Sequence, residues 1–281
     1  MPLAYDPTND ALLRPELRDT VFSSHTQPGH IAIAVEAARL AYYRFEESGA
    51  EMARLHQALA LAGYGEVQTF SSKTLVGTEA FGAIHASDST ALLAFRGTQP
   101  DKLADLGSDA NALLVPWEQG TGSVHYGFQR AYQAIQPEIR QWRAGPAAGR
   151  QLIISGHSLG AALACLCASI STPHRLVTIG GPRTGDSAFV ASIKGPWTRL
   201  VNCCDFVTRV PPTFLGYAHP NFRSYITFDG QIRENPTDAF IAIDREQGRL
   251  DYLKNHTWHR GTVVVRDLAD HAPINYARAF F

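Results

Sequence analysis

The sequence predicts an α/β fold, a mainly parallel sheet covered by helices on both faces. Two observations predict it. Short apolar runs at 151–155 (QLIIS), 175–179 (RLVTI) and 198–202 (TRLVN) alternate with helical stretches, as strands buried on both faces do. A tight glycine-rich turn, Gly156-His157-Ser158-Leu159-Gly160, then joins the first of these strands directly to an Ala-rich helix.

In chain order, the first 28 or so residues, rich in Pro, Asp and Thr, read as an irregular arm, with 31–281 as one domain. The apolar spacing predicts helices at 31–47 and 51–61. Strands follow at 66–70, 80–86 and 90–95, and the last ends in Arg96-Gly97-Thr98, where the chain must turn. A helix is expected over 126–143, the strand 151–155 after it, and a helix of small and apolar residues over 159–170. Leu113, Leu114, Val115 and Trp117 suit a buried strand or added apolar surface. Beyond Asn221 the pattern loosens, with a hairpin turn at Asp229-Gly230 and a last helix at 272–280.

Composition narrows the classes of function. With 281 residues, 45% hydrophobic and 18% charged, the chain has ample material for one large core. A net charge of −1 and a pI near 6.8 supply no field for nucleic acid. No run approaches 18 uncharged apolar residues, so a transmembrane span is not expected. The start, MPLAYDPTND, lacks a basic segment followed by an apolar run and does not read as a signal peptide. Cys165, Cys167, Cys203 and Cys204 suit reduced, buried thiols, since neither close pair favours a disulfide and no CxxC spacing exists for zinc. Together these features favour a cytoplasmic protein, with a secreted mature form as the alternative. The oligomeric state is open.

Chemistry concentrates at Ser158. A serine hydroxyl is a weak nucleophile until a base takes its proton, so it must face both base and substrate. A sharp strand-to-helix turn holds it out at the sheet edge, and its glycines allow close packing. The same turn aims the first helix amides at a developing oxyanion. The base is open among His174, His219, His256, His259 and His271. Of the acids Asp186, Asp205, Asp229 and Asp238, Asp205 leads because it follows the strand TRLVN, whereas Asp186 suits a helix N-cap and Asp229 a turn. His256 and His259 are spaced to share a helix face, but no third metal ligand accompanies them.

Six stretches in order give the chain a family resemblance. They are Phe95-Arg96-Gly97-Thr98, Val124 through Phe128 (VHYGF), Gly156 through Gly160, Gly181 through Gly185 (GPRTG), Val201-Asn202 through Asp205 to Pro211-Pro212, and Asp270-His271 followed by Tyr276. Over roughly 80–280 the sequence resembles the class 3 lipases, which include fungal triacylglycerol lipases, feruloyl esterases and plant phospholipases A1. The resemblance implies an α/β-hydrolase fold with Ser158 as nucleophile, Asp205 as acid and His271 as base. It implies oxyanion contacts from Thr98 and from the Leu159 amide, with no cofactor and no metal. His125, Gly127, Arg183 and the two prolines match structural positions.

The segment after Thr98, 99–112, corresponds to the family's lid. Its Leu103 and Leu106 form a weak apolar face against Asp101, Lys102, Asp105 and Asp109, suited to substrate and to transient contact with a lipid interface. The implied activity is hydrolysis of acylglycerols or similar lipid esters. Alternatives are a short-chain or feruloyl-type esterase, a phospholipase A1, or a non-catalytic binding module on the same frame. The absence of a recognisable leader and of disulfide pairs resembles a bacterial or intracellular branch.

Overall fold

The computed structural model describes residues 3–25, 27–72, 77–97 and 112–281. Thr98, Leu103 and Leu106 lie outside the described residues, as does nearly all of the expected lid.

An eight-stranded sheet has the order β1-β2-β3-β6-β7-β8-β9-β10. Its strands are β1 (Tyr64–Ser72), β2 (Thr78–His85), β3 (Thr90–Phe95), β6 (Gln151–His157), β7 (Arg175–Ile179), β8 (Trp197–Asn202), β9 (Ser224–Ile226) and β10 (Ile232–Glu234). From β3 to β9 neighbours run parallel, and the flanking pairs are antiparallel. A separate hairpin joins β4 (Leu114–Pro116) to β5 (Ser123–His125).

Alternation along the strands divides the core in two. Leu92, Ala94, Ile153 and Val177 face one cluster with α2 (His30–Leu40) and α3 (Gly49–Ala60). Ala91, Leu93, Phe95, Leu152 and Ile154 face the other, beside α6 (Leu159–Ser171). The two-residue strand period sends neighbours to opposite faces, so every residue of β3 is buried.

Several elements end earlier than the sequence periodicity predicts. α2 stops at Leu40 rather than continuing to 47. The Arg96 guanidinium binds the carbonyls of Ala41 and Tyr43, each at 2.5 Å, and removes them as acceptors for another helical turn. The helix expected over 126–143 is two, α4 (Tyr126–Gln133) and α5 (Gln136–Ala144), because Pro137 has no N–H to continue the ladder.

The C-terminal region differs more. A helix of 18 residues, α8 (Asp238–Asn255), occupies the stretch that reads as loose. Its buried positions are Ile241, Asp244, Gly248 and Tyr252, while Phe240, Ile243, Leu250 and Leu253 are exposed, so the apolar pattern hides the packing face. His256 caps this helix from outside, which corrects the shared-helix reading of His256 and His259. The last segment forms two short helices, α9 (Arg266–Ala269) and α10 (Pro273–Ala277), with His271 in the turn between them.

The N-terminal segment includes a short helix, α1 (Asn9–Leu13), capped by Thr8. It lies against the chain's far end: the Asp6 amide donates to Asn275 Oδ1 at 2.8 Å and the Tyr5 hydroxyl to Asp270 Oδ1 at 2.9 Å. All four cysteines are free and buried. Asp186 caps α7 (Ser187–Ser192) by accepting from the Phe189 amide. Among the described residues no helix is long and apolar enough to cross a membrane.

Candidate active site

β6 delivers Ser158 to the sheet's C-terminal edge with φ +58° and ψ −128°, outside the usual regions for a side-chain-bearing residue. The geometry persists because its surroundings permit nothing else. A Cβ on Gly156 would stand 2.1 Å from the Gly160 carbonyl oxygen, and one on Gly160 2.3 Å from that of Phe95. Strand and helix therefore touch through backbone. The Ser158 amide donates to the Ile179 carbonyl at 3.0 Å, which ties the turn to β7. Leu159 opens α6, where a backbone amide has no intrahelical acceptor and stays available to an anion.

Three residues far apart in sequence meet here. Ser158 Oγ lies 2.9 Å from His271 Nε2, and His271 Nδ1 lies 2.9 Å from Asp205 Oδ2. All three are buried. A carboxylate can only accept, so Nδ1 carries the proton and Nε2 is left to accept the serine's. The same Asp205 oxygen accepts the Tyr276 hydroxyl at 2.6 Å, and its other oxygen accepts the Val207 amide at 2.9 Å. Burial, then the nearby Asp205 charge, raises the Tyr276 phenol well above its ordinary value and keeps it a neutral donor.

Two supports were not legible in the residue pattern. His157, the variable position of the turn motif, has Nε2 2.8 Å from the His271 carbonyl and Nδ1 2.8 Å from the Tyr42 hydroxyl. Since a carbonyl only accepts, His157 donates from Nε2 and accepts from Tyr42. Burial, and then repulsion from His271, hold its pKa well below the ordinary histidine value, so it stays neutral. The second support is Asp270, which pairs with Arg266 at 3.1 Å and accepts the Cys204 amide at 2.9 Å. That bond joins the residue before His271 to the residue before Asp205.

His125 stacks on Phe128 at 4.1 Å and accepts the Gly127 amide at 3.0 Å, away from the Ser158 relay. Among the described residues, the cluster that could hold a metal is Cys203, Cys204 and Asp270. Its carboxylate is already committed to Arg266, Tyr5 and the Cys204 amide, and a guanidinium beside it opposes a cation.

Residues 92–215 match the family described as Lipase (class 3). Over these residues the chain is similar to the class 3 lipases. It is 31% identical over 179 residues to a Rhizomucor miehei lipase, covering 57% of this chain and 48% of that one. A secreted mono- and diacylglycerol lipase of Malassezia restricta is 31% identical over 177 residues, 54% of each chain. The chain thus spans about half the length of the curated relatives it matches. Among solved structures, the Rhizomucor miehei triacylglyceride lipase superposes with a TM-score of 0.57 at 28% identity, over 70% of this chain and 78% of that one. A triacylglycerol lipase in which a serine protease triad forms the catalytic centre superposes at 0.55 with 27% identity and the same coverage. The chain has the α/β-hydrolase fold that the resemblance implies, with the mainly parallel sheet that its strand pattern predicts.

Proposed function

We propose that the chain is a serine carboxylic ester hydrolase, a lipase cleaving acylglycerols or similar lipid esters. The observation that carries this reading is the continuous relay Ser158–His271–Asp205, with 2.9 Å at each step. Ser158 attacks the ester carbonyl while His271 Nε2 takes its proton, and Asp205 stabilises the imidazolium. The Leu159 amide at the start of α6, with Thr98, receives the oxyanion. His271 then protonates the departing alcohol, and water repeats the sequence on the acyl-enzyme. Every proton in these steps moves between protein side chains, substrate and water. Leu103 and Leu106 are assigned to the lid, in contact with the acyl chain and transiently with a lipid surface.

The similarity to mono-, di- and triacylglycerol lipases supports an acylglycerol substrate over other esters. The test is hydrolysis of p-nitrophenyl butyrate, p-nitrophenyl palmitate and emulsified triacylglycerol by wild type and Ser158→Ala. Activity on palmitate and emulsion that vanishes in the variant is the expected result. Turnover of short soluble esters alone would make the protein an esterase. A wild type inert to all three esters would overturn the hydrolase reading of these substrates.

A further inference from the structure

Tyr42, just beyond the end of α2, has a hydroxyl that reaches two parts of the candidate site at once. It donates to His157 Nδ1 at 2.8 Å and accepts the Gly97 amide. A phenol suits both roles, since it carries one donor hydrogen and can also accept. Tyr42 is buried, and burial raises its phenol above the ordinary value, so it stays a neutral donor.

Each end of this bridge leads to a group the chemistry needs. Gly97 immediately precedes Thr98, to which an oxyanion contact is assigned. The chain there runs close against the nucleophile turn. A Cβ on Gly97 would strike the Tyr42 hydroxyl oxygen, and would stand 2.7 Å from the His157 carbonyl oxygen and 3.1 Å from Ser158 Cβ. At the other end, His157 Nε2 donates to the His271 carbonyl at 2.8 Å. One unbroken path of hydrogen bonds therefore runs from the Gly97 amide, through Tyr42 and the His157 imidazole, to the backbone of the base.

Tyr42 is itself held from both sides. Arg96, the neighbour of Gly97, binds the carbonyls that flank Tyr42, those of Ala41 and Tyr43, and its guanidinium is fixed in turn by Glu46 at 2.7 Å. Segments 41–43 and 96–97 thus clasp each other, side chain to backbone in both directions. Arg96, Tyr42 and His157 are all buried, where hydrogen bonds are strong and a lost partner is costly.

We propose that Tyr42 is a positioning residue for ester hydrolysis, whose hydroxyl sets the oxyanion loop at Gly97 and the base His271 together relative to Ser158. The proposal rests on the ester-hydrolase reading. It gives a phenol that touches no reacting atom control over two of the groups that do.

Tyr42→Phe removes the hydroxyl and keeps the ring. Hydrolysis of p-nitrophenyl butyrate is measured per active site, counted by titration with a fluorophosphonate to completion, so a loss of folded protein does not register. The kcat should fall about 100-fold, the scale of a displaced oxyanion donor, while KM changes by less than about twofold. A trifluoromethyl ketone adds Ser158 to its carbonyl and leaves an oxyanion, so its Ki should rise by about the factor by which kcat falls. Wild-type kcat in the titrated variant overturns the proposal. A lower kcat with unchanged Ki overturns it too, because the oxyanion loop would then be undisturbed. Failure of the hydrolase reading shows differently, as a wild type inert to esters. Crystal structures of wild type and Tyr42→Phe then decide: displaced Gly97 amide and His271 carbonyl groups are expected, and both groups in their wild-type places refute the proposal.

Discussion

The imidazole of His157 holds the backbone of His271: Nε2 donates to the His271 carbonyl at 2.8 Å, while the Tyr42 hydroxyl fixes Nδ1 at 2.8 Å from the other side. The neighbour of the candidate nucleophile thus positions the candidate base. His157→Leu should leave a buried hydroxyl and a buried carbonyl unpaired, costing about 2–4 kcal/mol. Turnover should fall about 10- to 100-fold as the imidazole loses its placement. Chemical denaturation and kcat measure the two effects. Wild-type turnover in a folded variant would show that this bond does not set the position of His271.

Tyr276 shares an Asp205 oxygen with His271, at 2.6 Å, and accepts the Asn202 amide at 3.1 Å. Tyr276→Phe removes a donor from the carboxylate and strands that amide. Stability should drop by about 1–3 kcal/mol, and kcat should fall about tenfold as Asp205 gains freedom to turn. Equal kcat in the two proteins would assign Tyr276 to packing alone.

Asp270 and Arg266 form a pair with side chains almost wholly buried. Asp270→Asn should leave the guanidinium without its counter-charge and weaken the bond to the Cys204 amide, for a loss of about 3–5 kcal/mol. Because that bond joins the loops of Asp205 and His271, activity should fall even where the variant remains folded. Melting curves and esterase rates at a temperature well below Tm separate the two contributions.

Gly160→Ala places a methyl group 2.3 Å from the Phe95 carbonyl oxygen. The helix must move off β3, costing about 3 kcal/mol or more and lowering Tm by roughly 6–12 °C. A Tm within about 1 °C of wild type would mean that the contact is softer than its geometry indicates.

Acid should destabilise the fold through its buried histidines, beginning above the ordinary carboxylate range. Burial lowers His125 to about 4, and burial together with His271 lowers His157 well below its ordinary value. Both are neutral in the folded chain but take up protons near pH 6.5 when unfolded. The unfolded state therefore binds more protons in this window, so stability is full above pH 6.5 and is lost as pH falls toward 4. Each histidine contributes a slope on the order of 1 kcal/mol per pH unit. Urea unfolding at pH 7.5, 6 and 5 should show the loss, and His125→Phe should reduce the slope by about one proton.

The central strands, the turn at Ser158 and the parallel sheet were legible in the sequence because their signals are local. QLIIS and RLVTI are uninterrupted apolar runs, and the glycines of GHSLG stand where a Cβ would strike backbone. Asp205 could be ranked from its place after a strand, whereas the base among five histidines could not be chosen without the family resemblance. The residue pattern could not show that α2 ends where Arg96 captures two carbonyls, or that α8 turns Asp244 and Gly248 inward and leaves four large apolar residues outside. Nor could it show that His157, Tyr42 and Tyr276 brace the relay. Those depend on contacts between residues up to 115 positions apart, such as Tyr42 and His157. Sequence determines which segments prefer strand, turn or helix because that preference resides in nearest neighbours; only the closed fold decides which distant donor meets which acceptor.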